Sequence, residues 1–385
     1  MIGPALDVAL SLAALPVAAV ASYLAVLAAF SRRLPPPPAV EPSLRFEIVV
    51  PAHDEEAGVA ATVANLHELD YPAQRFRVFV VADNCTDRTA EKAREAGAQV
   101  LVRNDPSRRG KGYALAYAFE RLGGEKAADA IVVVDADTLV SRNLLRAFAA
   151  RLAAGETVLQ AEYGPRNPDA SWRTRLMRLA LTLFHGVRSL GRERLGLSCG
   201  LRGNGMCFAS RVLREVPHDA FSIVEDLEYG VRVGLAGHRV AYVPEAEVQG
   251  EMAASEAASR SQRRRWEGGR LTVARQQLPR LLRQGLRQRR WLHFDLAADL
   301  VVPPLATVVL ASLAGILACA AALLLGAPLR VAPWLWASSA LGLAVYVGRG
   351  LVLAGSPLRS LRDLAWAPVY VAWKIRLAFS APTHA

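Results

Sequence analysis

Two carboxylates one residue apart, Asp135 and Asp137, close the apolar run Ile131-Val132-Val133-Val134. A buried strand that stops at Asp-Ala-Asp delivers oxygen ligands to the carboxyl edge of a sheet, where ligands bind in open α/β folds. Two hard anions there suit Mg²⁺ or Mn²⁺ carrying a substrate diphosphate. Asp-x-Asp is common by chance, so its meaning depends on what else the chain sends to the same edge.

Other segments qualify. One strand ends in Pro51-Ala52-His53-Asp54-Glu55-Glu56 and another in Asp83-Asn84-Cys85-Thr86-Asp87-Arg88-Thr89. Asp83 at such an edge can accept hydrogen bonds from a nucleobase or ribose. Thr86 reads as a helix N-cap and Asp87 as a favourable charge in the first helical turn. In Arg109-Gly110-Lys111-Gly112, glycines beside a lysine at a helix start allow close approach to a phosphate. The Walker spacing is absent, which disfavours a nucleotide-triphosphate hydrolase. Asp226, in Val224-Glu225-Asp226-Leu227-Glu228, can serve as general base for an acceptor hydroxyl, or supply only helix N-terminal charge. Gly200-Leu201-Arg202-Gly203-Asn204-Gly205 is a loop suited to close backbone approach, or an ordinary turn. In Gln262-Arg263-Arg264-Arg265-Trp266, an arginine can neutralise a departing diphosphate and an indole can face a sugar ring. A membrane-surface helix explains that segment equally well.

These residues need a scaffold. Short runs rich in Val, Ile and Phe at Phe46 to Pro51, Phe76 to Ala82, Gln99 to Val102 and Ile131 to Val134 read as strands. Helical segments such as Ala57 to Leu69 and Asp87 to Ala96 lie between them. The alternation predicts a mostly parallel sheet with helices on both faces. No internal repeat of the kind that marks solenoids is present.

Apolar stretches flank this region. Ala5 to Phe30 is long enough to cross a hydrocarbon core of about 30 Å. Arg32 and Arg33 follow that stretch instead of preceding it, which favours a span over a cleaved signal peptide and places the next domain in the cytoplasm. Leu34 to Ser43, with four consecutive prolines, reads as a stiff linker. A second stretch, Leu296 to Pro328, is interrupted by Pro303-Pro304, so its span is expected to start beyond them. A third runs from Val331 to Val347. The last, Leu364 to Ser380, fits either a short span or a helix in the headgroup plane.

The chain of 385 residues carries a net charge of +11. Eleven arginines and one glutamate between Arg260 and Arg290 account for +10 of it. A basic segment next to membrane spans points to lipid headgroups. Cys85, Cys199, Cys207 and Cys319 show no paired spacing and read as reduced thiols in a cytosol-facing protein, not a disulfide framework.

Taken in order, the motifs resemble those of the membrane-bound family 2 glycosyltransferases. That group contains cellulose, hyaluronan and poly-N-acetylglucosamine synthases and ceramide glucosyltransferases. The matching pieces are the Pro51 to Glu56 strand end, Asp83, the Lys111 region, Asp135-Ala-Asp137, Glu225-Asp226 and Gln262-x-x-Arg265-Trp266. The resemblance covers Phe46 to Trp266 and extends to the flanking spans. It implies an α/β, GT-A (Rossmann-like) catalytic domain flanked by transmembrane helices. It implies a nucleotide-diphosphate-sugar donor, UDP-sugar favoured, contacted by Pro51, His53, Glu55, Asp83, Lys111 and Asp135, with Asp83 at the base. Asp135 and Asp137 would hold Mg²⁺ or Mn²⁺. Asp226 would deprotonate the acceptor, and Gln262, Arg265 and Trp266 would close over the diphosphate. Two positions depart from the family pattern: Val224 stands where Thr is frequent, and Asp54 where Asn is usual.

The resulting division is an N-terminal span over 1–31, a proline-rich linker over 32–44 and a cytosolic catalytic domain over 45–254. Basic amphipathic interface helices over 255–295 and C-terminal spanning or interfacial helices over 296–385 complete it. The expected activity is inverting transfer of a sugar to a lipid or growing polysaccharide at the cytoplasmic face of the inner membrane. The expected partners are donor, acceptor and membrane lipids, with no nucleic acid. A non-catalytic membrane subunit of a polysaccharide assembly complex and a membrane-tethered nucleic-acid binder are the competing readings.

Overall fold

The computed structural model describes residues 2–124, 128–252, 256–355 and 357–369, except for the side chains of 2–3 and 256–267. The described chain forms two compact units. One comprises residues 33–167 and 192–301, and the other comprises 1–32, 168–191 and 302–385.

The first unit is built on an eight-stranded sheet: β1 Phe46–Ala52, β2 Phe76–Asp83, β3 Gln99–Arg103, β4 Ala130–Val133, β5 Leu139–Val140, β6 Val158–Pro165, β7 Met206–Ala209 and β8 Val240–Gly250. Their order across the sheet is β3-β2-β1-β4-β7-β6-β8-β5. β1 pairs in parallel with β2 and β4, β2 with β3, and β6 with β8. The pairs β4–β7, β6–β7 and β5–β8 are antiparallel. Central strands covered on both faces read as continuous apolar runs. That is why Ile48 to Val50 on β1 and Ile131 to Val133 on β4 are fully buried. The parallel half matches the four strands expected from the sequence. β5 to β8 were not anticipated: polar residues break the apolar pattern of β6 and β8, and β5 and β7 are only two and four residues long.

The helices around the sheet are amphipathic. In Lys111–Leu122, Ala114, Leu115, Ala118 and Phe119 are buried at the spacing of one helical face. The helices Val59–His67 and Thr89–Glu95 stand where alternation placed them. The Thr86 expectation is corrected. Arg88 occupies the N-cap, and the Thr86 hydroxyl instead donates to Asp54 at 3.2 Å. Asp87 lies two residues before the helix and not in its first turn, and its Oδ1 accepts from the Thr89 N–H at 2.9 Å. Asp54 has a φ of +54°. Asn and Asp tolerate that left-handed conformation better than other residues, which accounts for an Asp in a position where Asn is usual.

A buried ionic cluster ties the helix Trp291–Val301 into this unit. Arg192, with no exposed surface, donates through Nη2 to Asp295 at 2.6 Å and faces Asp299 at 3.0 Å. Its Nε donates to the Ser198 carbonyl at 2.6 Å.

The second unit contains three helices long and apolar enough to cross a membrane: Pro4–Phe30, Leu305–Leu324 and Ala332–Leu353. The second starts just beyond Pro303-Pro304, as the proline interruption predicted. The segment 168–191 also belongs here, with the helix Trp172–Leu181 running into a wider π-helical turn over Thr182–Val187. The Tyr346 hydroxyl donates to the Leu183 carbonyl at 2.7 Å, and Trp172 stacks on Trp366 with ring centres 5.5 Å apart. Of the stretch Leu364 to Ser380, residues from 370 onward lie outside the described residues.

Candidate active site

Strand β4 ends at Val133, and the chain turns at once through Asp135-Ala136-Asp137. Three contacts pin this turn. The Asp135 N–H donates to Asn204 Oδ1 at 3.1 Å, the Thr62 hydroxyl donates to the Ala136 carbonyl at 2.7 Å, and the Thr138 N–H donates to the Asp135 carbonyl at 3.2 Å. Asn204 completes the arrangement by donating to the Thr138 hydroxyl at 2.7 Å. Both carboxylates are thereby held on rigid backbone, as precise ligand placement requires.

Lys111 begins the helix Lys111–Leu122 and reaches back to this turn. Its ammonium pairs with Asp135 and donates to the Gly203 carbonyl at 2.6 Å. Gly203 has a φ of +80°, which a residue with a side chain rarely adopts. A Cβ there would also stand 3.4 Å from Asp226 Oδ2 and 3.6 Å from Lys111 Nζ. The bare glycine therefore lets Lys111, Asp226 and the loop meet. Behind the loop, the buried Gln160 side chain accepts from the Arg202 N–H at 2.8 Å and donates to the Asn204 carbonyl at 2.7 Å.

Asp226 sits in the first turn of the helix Glu225–Ala236. Burial pushes its carboxyl above the ordinary range, against the Leu227 N–H, Lys111 and Arg202. Burial, opposed by Lys111 and reinforced by Asp226, pushes Glu225 up to about 7. Burial would lower Lys111, but Asp135, Glu225 and Asp226 outweigh it and raise the ammonium's pKa. Burial and then the Asp135 charge push Asp137 up. Burial raises Glu55 as well, reinforced by the charges of Asp137 and Asp135.

This crowding bears on a cation. Among the described residues the Asp137 carboxylate takes one side-chain donor, Thr138 at 3.3 Å. Two hard carboxylates held one residue apart on a fixed turn suit a divalent ion, which would take its remaining oxygen ligands from a substrate diphosphate. A different trio, Asp54, Cys85 and Asp87, is the one group among the described residues with three ligand atoms within 4.8 Å of one another. Its carboxylates already accept from the Thr86, Glu56 and Thr89 N–H groups, and burial keeps the Cys85 thiol protonated. That trio locks two loops together.

The remaining expected residues fall at the same carboxyl edge of the parallel strands. Pro51 is within β1, and His53 follows it with Nδ1 2.7 Å from the Asp83 carbonyl. Asp83 closes β2, its Oδ1 accepting from Arg103 at 2.6 Å and Asn84 at 3.0 Å. The sequence reading missed Arg103, Asn204 and Gln160. Their only signal was polarity at strand ends and in the glycine loop. Gln262, Arg265 and Trp266 stand in the helix Glu256–Gln288, with side chains outside the described residues.

The beta-monoglucosyldiacylglycerol synthase of Synechocystis is 30% identical over 232 residues, 58% of this chain and 47% of that protein. Its counterpart in Nostoc is 30% identical over 242 residues, 60% of this chain and 50% of the relative. The chain thus spans about half the length of these curated relatives. Among solved structures, the mannosyltransferase PcManGT from Pyrobaculum calidifontis, in complex with GDP-Man and Mn²⁺, is similar with a TM-score of 0.57. At 19% identity, covering 89% of this chain and 97% of that one, the likeness establishes a shared GT-A fold. The family model described as "Glycosyltransferase like family 2" matches residues 42–269. Because that match spans more than half of the sequence, the chain belongs to the family 2 glycosyltransferases.

Proposed function

We propose that this protein is a membrane enzyme that moves a hexose from a nucleotide-diphosphate sugar, UDP-glucose foremost, to the hydroxyl of a membrane lipid. The observation that carries the reading is the convergence on Gly203 of Lys111, which also pairs with Asp135, and of Asp226, whose Oδ2 would stand 3.4 Å from a Cβ at that glycine. Asp226 takes the acceptor proton as the hydroxyl oxygen attacks the anomeric carbon. The bond from that carbon to the diphosphate oxygen breaks in the same in-line step, so the configuration inverts.

Asp135 and Asp137 would hold Mg²⁺ or Mn²⁺, which when bound neutralises charge growing on the departing diphosphate. Lys111 fixes the orientation of Asp135 and keeps the pocket's net charge tolerable for an anionic donor. Gln262, Arg265 and Trp266 would close over the diphosphate, with Arg265 as its cationic partner.

A lipid acceptor is favoured over a polymer by the glycolipid synthases among the relatives and by the three apolar helices. Three helices from one chain make a wide polysaccharide channel hard to build. The helix Glu256–Gln288 supports residence at a membrane surface. Its described part presents exposed Leu271, Leu282 and Leu286 among arginines, with no acidic residue from Gly268 to Arg290. This is the pattern of a helix lying among anionic headgroups. The catalytic unit would then face the cytoplasm.

The test is a panel of radiolabelled UDP-glucose, UDP-N-acetylglucosamine and GDP-mannose given to membranes containing the protein and diacylglycerol. The expected product is one sugar per lipid, from UDP-glucose, with β configuration. Long saccharide ladders would replace this reading with a processive one, and no transfer from any donor would remove it.

A further inference from the structure

The helix Glu225–Ala236 begins without a side-chain cap, since Val224 stands at the N-cap and offers no hydroxyl. Instead Val224 is buried in an apolar cluster with Val273 and Leu281 of the helix Glu256–Gln288. On that second helix, Gly268 and Gly269 stand side by side, beginning two residues beyond Trp266. A glycine in a helix interior costs about 1 kcal/mol relative to alanine, so adjacent glycines call for a reason.

The two differ sharply in their surroundings. A Cβ at Gly268 would meet nothing within 4 Å. A Cβ at Gly269 would stand 2.8 and 2.9 Å from the two methyls of Val224, closer than real Cβ atoms approach a neighbour. The isopropyl group of Val224 therefore occupies the place where a side chain at 269 would be.

We propose that Val224 and Gly269 form a positioning contact that couples the helix bearing Gln262, Arg265 and Trp266 to the helix bearing Asp226. The seating of the first helix then sets the placement of the base. The proposal rests on the reading of Asp226 as the base, and deepens it. Val224 is two residues from Asp226, whose Oδ2 would stand 3.4 Å from a Cβ at Gly203. A displacement of Val224 by part of an ångström is passed along a single helical turn to that carboxylate. Replacing a cap hydroxyl by an apolar knob exchanges local helix stability for this link between helices.

The full chain in membranes is assayed for transfer from UDP-glucose to diacylglycerol, and UDP binding is titrated in Mn²⁺. Gly269→Ala is expected to lower kcat about tenfold or more while UDP affinity stays within about twofold of wild type, because misplacing a catalytic group by fractions of an ångström slows turnover without loosening the donor. Gly268→Ala keeps the wild-type kcat. The double variant Val224→Ala/Gly269→Ala regains most of the lost rate, because shortening the knob relieves the new methyl.

Wild-type turnover in Gly269→Ala, or a loss that Val224→Ala does not relieve, overturns the coupling. Asp226→Asn run in parallel separates the two claims. An inactive Asp226→Asn beside a fully active Gly269→Ala sinks the coupling alone, whereas a fully active Asp226→Asn sinks the base assignment.

Discussion

Asp226→Asn is expected to slow transfer by roughly 10²–10⁴-fold, about 3–5 kcal/mol of barrier, with binding of UDP and metal preserved. The substitution keeps the shape of the side chain and the Leu227 N–H contact, and removes only the ability to accept a proton. Lys111 is still paired with Asp135 in the variant, so the pocket keeps its cation. Single-turnover rates with saturating UDP-glucose, beside a UDP titration, separate chemistry from binding. Glu225 adjoins Asp226 and carries the carboxyl pushed up to about 7, so Glu225→Gln is the informative comparison. A larger loss in Glu225→Gln than in Asp226→Asn would contradict the assignment.

The same base has a pH signature. Burial holds the Asp226 carboxyl above its ordinary range, and the base works only when ionised. Transfer therefore rises with pH along a limb set higher than an ordinary carboxylate's. Lys111 pulls both Glu225 and Asp226 down, so Lys111→Met moves that limb to higher pH. A limb that stays in place or moves to lower pH would show that Lys111 does not act on the base.

Arg192→Ala is expected to destabilise the catalytic unit by about 3–5 kcal/mol, because removing one partner of a buried ionic cluster leaves uncompensated charge behind. Arg192 has no exposed surface, and its loss removes the guanidinium that faces both Asp295 and Asp299. Asp295 is already pushed up by burial, in spite of Arg192. Without the guanidinium, the Asp295 carboxyl rises further above its unfolded value. Stability from the bound proton is then present at low pH and lost as pH climbs through the raised value. The deficit is therefore larger at pH 8 than at pH 5. Urea unfolding in detergent, followed by tryptophan fluorescence, measures it. A loss under about 1 kcal/mol at pH 8 would mean that the cluster is solvated, as exposed pairs are.

The parallel half of the sheet was legible because its strands are buried on both faces and spell near-continuous Val and Ile. The membrane-length helices were legible for a similar reason, since length and apolarity decide them. β6 and β8 were harder to see. β6 carries Gln160 and Glu162 and β8 carries Glu245 and Glu247, which break the apolar run, and their partners lie far away in sequence.

The site was legible as types and order of residues, and less so as partnerships. Nothing local in Arg103 shows that it will clasp Asp83, because that contact depends on β2 and β3 lying side by side. Asn204 looked like a turn residue in a glycine loop. Only the folding of that loop against β4 makes it the group that pins Asp135 and Thr138. The segment 168–191 lies between two catalytic stretches in sequence, and its grouping with the apolar helices is a property of packing.

The central claim is that Asp135 and Asp137 grip a divalent cation through which a nucleoside diphosphate is held beside Asp226. Calorimetric titration of UDP into the full-length protein, in Mn²⁺ and in EDTA, for wild type and Asp137→Ala, tests it most directly. The account predicts binding strengthened by Mn²⁺ in the wild type, with the metal-dependent part lost in Asp137→Ala. Equal UDP affinity with and without metal in the wild type, or unchanged metal dependence in Asp137→Ala, would contradict it.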